Sequence, residues 1–357
     1  MDVTRLTRQV KYNCDVSDAR HGGLYTICGL AMRLRDLYKW DHRLAPWQEH
    51  EAGRVLEWIG RREALWESLA EAEFHPLTID GHAYEVFDSQ AINALLVPRG
   101  LFYGAGYAHS LKPTFFLAEV DRCDTLHGRT VLRLGRELAR DLLTLPAFSQ
   151  DDQVVLRTEA ARMYLWDQIA YISNSGRPCL AFALTACCGL SDTDLHGMRG
   201  HLDTILKVFQ PVYIRHELGE LEDPVFDRDT WRRMISDFAH TPVELLVRTL
   251  KDVLADTAKL GPLAYFCARR DKAGLGFYMA FRDGLTALLF DELKTSFTAF
   301  MHSGDWNEIE RAIRQVRGQA VAYTGQVTAI YAVGREQDLA DTRKAIERTL
   351  CQRGVKL

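Results

Sequence analysis

The sequence predicts a mainly α protein: two packed helical halves, with a small β-hairpin in the N-terminal half. Three observations carry this. Apolar residues recur at three- and four-residue steps along most of the chain. Helix-start chemistry recurs too, with Thr241-Pro242-Val243-Glu244 the fullest example. Only one short stretch, residues 77–87, carries an unmistakable hairpin signature.

Taken in order, Leu24, Ile27, Cys28, Ala31, Leu34 and Tyr38 mark a first helix. Pro46 ends it and opens a second that carries Val55, Ile59, Trp66 and Leu69. Leu77-Thr78-Ile79, the turn Asp80-Gly81 and His82 onward form the hairpin, because Asp-Gly tolerates the positive φ angles of a type I′ turn. Asp88 or Ser89 caps a short helix that stops near Pro98. The glycine-rich stretch 100–106 reads as a loop, and 115–120 fits strand or helix.

Residues 127–145 read as a patterned helix. At ~100° per residue, Arg133, Arg136 and Arg140 fall within about 40° of Arg129, with Val131, Leu134, Leu138 and Leu142 opposite. A loop over 146–152 and a helix over 153–172 follow. Ser173-Asn174-Ser175-Gly176-Arg177-Pro178 is the richest turn segment, which sets domains of 1–175 and 176–357. Beyond it, Ser191 caps a helix with Leu202, Ile205, Leu206 and Phe209. Pro211 starts a short segment that Pro224 stops. Thr241 opens a helix reaching Gly261. Gly274 and Gly276 mark a flexible turn. Residues 309–317 and 339–351 read as helices, with strands between them over 320–333.

Composition sets the class. The chain has 357 residues, 47% hydrophobic and 26% charged, with a formal net charge of -4. That balance is globular and long enough to bury a large core without metal or disulfide. The net charge argues against nucleic acid and anionic membrane as partners. The longest nearly apolar run, Leu180 to Leu190, is shorter than the roughly 20 residues of a membrane span. The first residues are polar, with no apolar signal-like core. Eight cysteines include no C-x-x-C pair, which suits reduced thiols in a cytoplasm.

Three groups are candidate sites. The run Asn13-Cys14-Asp15-Val16-Ser17-Asp18-Ala19-Arg20-His21-Gly22-Gly23 concentrates reactive side chains ahead of a predicted helix start. There the dipole and neighbouring cations would lower a thiol pKa. Cys14 is then a candidate nucleophile, with Asp15, Asp18 and His21 orienting a base or binding a metal. The simpler alternative is that Ser17 or Asp18 caps the helix and Asp15 pairs with Arg20. Asp15 also opposes thiolate formation next door. The arginine stripe, Arg129, Arg133, Arg136 and Arg140, is a candidate face for an acidic protein or an anionic ligand. Its alternative is a solvated helix face. His216-Glu217-Leu218-Gly219-Glu220 resembles half of the zinc-protease pattern H-E-x-x-H, with Glu220 where the second His would stand. His216 and Glu220 are therefore weak candidate metal ligands on one helical face. Phosphate loops, dinucleotide fingerprints, nucleophile elbows and kinase motifs are missing, and the sequence identifies no cofactor. The expected function is a binding or regulatory protein acting through helical surfaces. The competing expectation is a small-molecule or metal-dependent enzyme centred on residues 13–23.

Overall fold

In the computed structural model, which describes residues 1–190, 194–282 and 284–355, the chain forms two compact units, Met1–Ile169 and Ala170–Leu357. The first unit runs α1 (Val3–His21), α2 (Ile27–Asp41), α3 (Ala52–Leu69), β1 (Leu77–Ile79), β2 (His82–Tyr84), α4 (Ser89–Leu96), β3 (Leu101–Tyr107), β4 (Pro113–Leu126), β5 (Arg129–Arg140), β6 (Ala147–Gln150), β7 (Gln153–Arg157) and α5 (Thr158–Ala170). The second runs α6 (Arg177–Cys188), α7 (Leu195–Met198), α8 (Leu202–Glu222), α9 (Arg228–Asp237), α10 (Pro242–Asp256), α11 (Pro262–Arg269), α12 (Lys272–Ala280), α13 (Gly284–Leu289), α14 (Glu292–Ser303), α15 (Trp306–Gly334) and α16 (Leu339–Gln352). Among the described residues, no helix is long and apolar enough to cross a membrane.

The expected pair of helical halves is corrected in the first unit. Its centre is a five-stranded curled mixed sheet in the order β3-β4-β5-β7-β6. Only the β5–β7 pair is parallel. The hairpin β1–β2 forms as read, with Asp80 and Gly81 at φ 51° and 87°. The error lay in residues 100–157. Leu134 and Leu138 are four residues apart, a spacing that fits a strand as well as a helix. A second hairpin turn is hidden at His127-Gly128, both at positive φ (51° and 79°), where His stands in place of the usual Asn or Asp. Gly104 is not a loop residue either. It sits in β3 under the Phe116 ring of β4, where any Cβ would collide. The predicted loop at 146–152 contains β6, and the predicted helix at 153–172 begins as β7.

Successive strand residues face opposite sides, which gives the sheet two cores. Tyr103, Phe115, Leu117 and Ala139 pack with Leu6, Val10 and Cys14 of α1 and with Leu77, Ile79, Ile92 and Leu96. Phe102, Phe116, Ala118, Leu132, Leu134 and Val155 form the other face. Register shifts between Leu117 and Arg122 bend the long β4–β5 ribbon. A third cluster joins Leu34, Leu37, Tyr38 and Trp40 to Trp58, Trp66 and Leu142. The second helix starts at Ala52 rather than Pro46.

Among the described residues, the regular elements of the second unit are all helices. α8 runs straight through Pro211 and stops before Pro224. Residues 320–333, rich in β-branched and aromatic side chains, belong to the 29-residue α15. Its buried residues Ile309, Ile313, Val316, Ala320, Tyr323, Val327 and Tyr331 keep the helical period, so packing overrides local preference. Gly274 and Gly276 lie inside α12, not in a turn; a Cβ on Gly276 would meet the Ala183 Cβ of α6 at 2.9 Å. The cap at Thr241 is rearranged. Thr241 donates to Phe238 O, and Glu244 accepts from the His240 N–H at 2.9 Å. The Ser191 cap falls outside the described residues.

Candidate functional site

Asn13 to His21 form the last turns of α1, Gly22 and Gly23 belong to the turn after it, and α2 starts at Ile27, so Cys14 sits inside a helix well before the next helix start. The positive dipole end that would activate a thiol is therefore at the other end of the helix. Asn13 exchanges two hydrogen bonds with the His75 backbone, both 2.9 Å. Cys14 is 1% exposed and donates to Phe115 O at 3.1 Å. Burial, then the charges of Asp141, Asp18 and Asp15, push its thiol well above the ordinary pKa. Asp15 pairs with Arg62 at 2.6 Å, while Arg20 pairs with Glu73. His21 Nδ1 sits 3.0 Å from Ser17 O.

Asp18 is drawn into a fully buried cluster. Lys112 Nζ lies 3.1 Å from both Asp18 and Asp141 and donates to Ser17 Oγ at 2.9 Å. Asp18 also accepts the Leu142 N–H, and Asp141 accepts those of Phe115 and Leu143. Burial raises the Asp18 carboxyl to about 7 despite Lys112. These groups are mutually satisfied, and the arrangement pins α1 to β4 and to the residues that follow β5. Of the four predicted residues, Cys14 and Asp18 therefore share a neighbourhood, whereas Asp15 and His21 turn to other partners.

The arginine stripe does not exist as a face, because β5 is a strand. Arg133 pairs with Asp124 of β4 at 3.1 Å, and Arg129 lies 3.9 Å from Asp152. Arg136 is exposed, and Arg140 is buried at 4% exposure.

The third group assembles most completely. His216, Glu217 and Glu220 occupy one turn of α8, and among the described residues their ligand atoms lie within 4.8 Å of one another. α10 supplies two acids one turn apart. Asp256 Oδ1 sits 2.7 Å from His216 Nδ1, and Asp252 Oδ1 is 3.8 Å from Nε2. Asp256 is itself fixed by the Tyr278 hydroxyl of α12, which donates to Oδ2 at 2.7 Å. Burial disfavours a charged imidazole here, but Asp256 outweighs it, and the His216 pKa stands well above its usual value. The ring keeps 26% of its side-chain surface exposed, so the group is reachable from solvent. With Nδ1 committed to Asp256, Nε2 is the nitrogen that a cation would reach, displacing its proton. Asp256, Asp252, Glu217 and Tyr278 were not singled out from sequence. The i, i+4 spacing of Asp252 and Asp256 behind a helix cap was the available signal, and nothing local tied it to His216, 40 residues earlier.

Neither the curated proteins nor the solved structures contain a match to this chain. The N-terminal domain of a family of unknown function, DUF6866, matches residues 5–157, and the C-terminal domain of the same family matches residues 162–349. Together these matches span most of the sequence, and the chain belongs to the DUF6866 family.

Proposed function

We propose that the chain is a metal-dependent enzyme whose C-terminal unit activates water on a divalent cation held by His216, Glu217 and Glu220. The carrying observation is the Asp256–His216 hydrogen bond of 2.7 Å, which fixes the ring and directs Nε2 away from Asp256. A carboxylate behind a ligating histidine is how metal sites orient the ring and raise its basicity. Ligands bound at ~2.1 Å stand about 3 Å apart, so donors within 4.8 Å need only small side-chain rotations to meet one ion. Three protein ligands leave coordination positions open, the pattern of catalytic rather than structural sites. One imidazole with two carboxylates suits Mn²⁺, Fe²⁺ or Zn²⁺. Such an ion lowers the pKa of bound water toward neutrality. Asp252, half exposed and facing Nε2, is placed to accept the proton.

The competing reading, a binding or regulatory protein, rests on the missing catalytic motifs; the basic helical face offered for its docking is dispersed, because β5 is a strand. The test is metal titration of chelator-stripped protein by calorimetry. One equivalent of Mn²⁺, Fe²⁺ or Zn²⁺ is expected to bind. His216→Ala should abolish binding, and Asp256→Asn should weaken it by about 10–100-fold. If none of the three ions binds at one equivalent, or if His216→Ala binds like the wild type, the proposal fails.

A further inference from the structure

Far from His216 in the chain, α2, β5, β7 and α5 place six polar side chains together in the N-terminal unit. Arg157 is 2% exposed and gives its Nε to Glu137 Oε1 at 2.6 Å. Arg140, 4% exposed, has no such partner; its Nη1 stands 3.6 Å from Glu137 Oε2, beyond hydrogen-bonding distance. Its Nε and Nη2 are both buried and unpartnered. These two nitrogens form one edge of the guanidinium plane, the fork that grips two oxygens at once. Arg157 Nη2 and the indole Nε1 of Trp40, whose ring centroid is 5.8 Å from Arg140, are also buried donors without an acceptor.

A buried charged donor stripped of water and left unpaired is costly. Here three guanidinium nitrogens and one neutral indole nitrogen lie unpartnered on three neighbouring side chains, next to two unpartnered acceptors, Glu137 Oε2 and Asp36 Oδ1, while Arg140 keeps only a 3.6 Å ion pair with Glu137. Lys112 in the same unit is fully satisfied. We infer that Arg140, with Arg157 and Trp40, is a binding site for the carboxylate group of a small molecule. The neighbours select that chemistry. Asp36 acts electrostatically on Arg140, and burial together with Asp36 raises the Asp167 carboxyl to about 8. Three acidic side chains, Glu137, Asp36 and Asp167, border the site. A doubly charged phosphate meets their repulsion more strongly than a singly charged, planar carboxylate does. Asp167 is part exposed, which leaves one side open toward solvent.

This site is independent of the proposed metal centre, and its test needs no metal. The full chain is stripped of small molecules by partial denaturation and refolding. It is then titrated with acetate, malonate, pyruvate and inorganic phosphate at constant ionic strength, with melting temperature as the readout. At least one carboxylate is expected to raise Tm in a saturable way, with phosphate and chloride inactive. Arg140→Gln should remove the response. Arg140→Lys, which keeps the charge and loses the fork, should weaken it at least tenfold. Trp40→Phe, which deletes one N–H and keeps the ring, should weaken it several-fold and guards against a folding defect in the arginine variants. No response to any carboxylate, an equal response to phosphate, or a response that survives Arg140→Gln would overturn the inference.

Discussion

Lys112 with Asp18 and Asp141 in the N-terminal unit, and His216 with Glu217, Glu220, Asp252 and Asp256 in the C-terminal unit, are clusters of similar composition and opposite character. In the first, every charge is at most 2% exposed and each carboxylate meets both Lys112 and backbone N–H groups. In the second, four carboxylates crowd one imidazole that keeps a quarter of its surface in solvent. The difference teaches that density of titratable groups does not identify a site. What separates fold from function here is whether the bonding capacity is used up. Asp18 and Asp141 share one cation and accept backbone N–H groups with their oxygens, so they act as a lock. His216 has one nitrogen bound and the other directed at acids that a cation would join.

The sharpest way to break this contrast is to remove Lys112. Lys112→Met leaves Asp18 and Asp141 buried without their cation. Breaking a buried ion pair from one side costs about 3–5 kcal/mol, and urea unfolding should report a loss of that size. The same variant should loosen the neighbourhood of Cys14. In the wild type a thiol reagent should modify exposed Cys28 readily and buried Cys14 hardly at all; in Lys112→Met, Cys14 should become reactive. Wild-type labelling of Cys14 ahead of Cys28 would restore it as a nucleophile and reverse the comparison.

Acid titration is expected to show the next largest effect. Asp18 titrates near 7 in the folded chain because burial disfavours its charge, against a usual value of 3.8. The folded state therefore holds a proton that the unfolded state has released between roughly pH 4 and pH 7. Stability from this group is complete below pH 4 and is lost as the pH rises from about 4 through 7, by on the order of 4 kcal/mol. Asp18→Asn mimics the protonated form and should flatten that slope. Asp167, raised to about 8 by burial and by Asp36, should leave a residual slope of the same sign. A wild-type stability that rises from pH 4.5 to pH 7 would contradict both assignments.

How much of this was legible follows from which signals are local. The turn at Asp80-Gly81 and the stop before Pro224 depend on neighbours in sequence, and both are found where they were read. The sheet was missed because Leu134 and Leu138, four residues apart, fit a helical face and a strand spacing alike, and because β5 and β7 pair in parallel, with β6 between them in sequence. His216 and Glu220 were visible as one helical turn. Asp256 and Tyr278, which make that turn a constellation, lie 40 and 62 residues beyond His216 and meet it only through helix packing. The Lys112 lock was invisible for the same reason: its members lie on α1, before β4 and after β5.

Glu220→Gln should have the smallest effect on folding and therefore sharpens the contrast most. Glu220 is part exposed on α8, and its backbone carbonyl accepts from Lys251 of α10 at 3.3 Å. The amide keeps the side-chain shape and removes the charge, so stability should change by no more than about 0.5 kcal/mol. It should even rise slightly, because one of four crowded carboxylates is neutralised. Affinity for a divalent ion should instead fall by at least an order of magnitude, since a neutral amide is a far poorer ligand than a carboxylate. A variant that loses several kcal/mol of stability would make the C-terminal cluster a lock like the one at Lys112. A variant that keeps both stability and metal affinity would remove Glu220 from the ligand set and leave His216, Glu217 and Asp252 to be tested in its place.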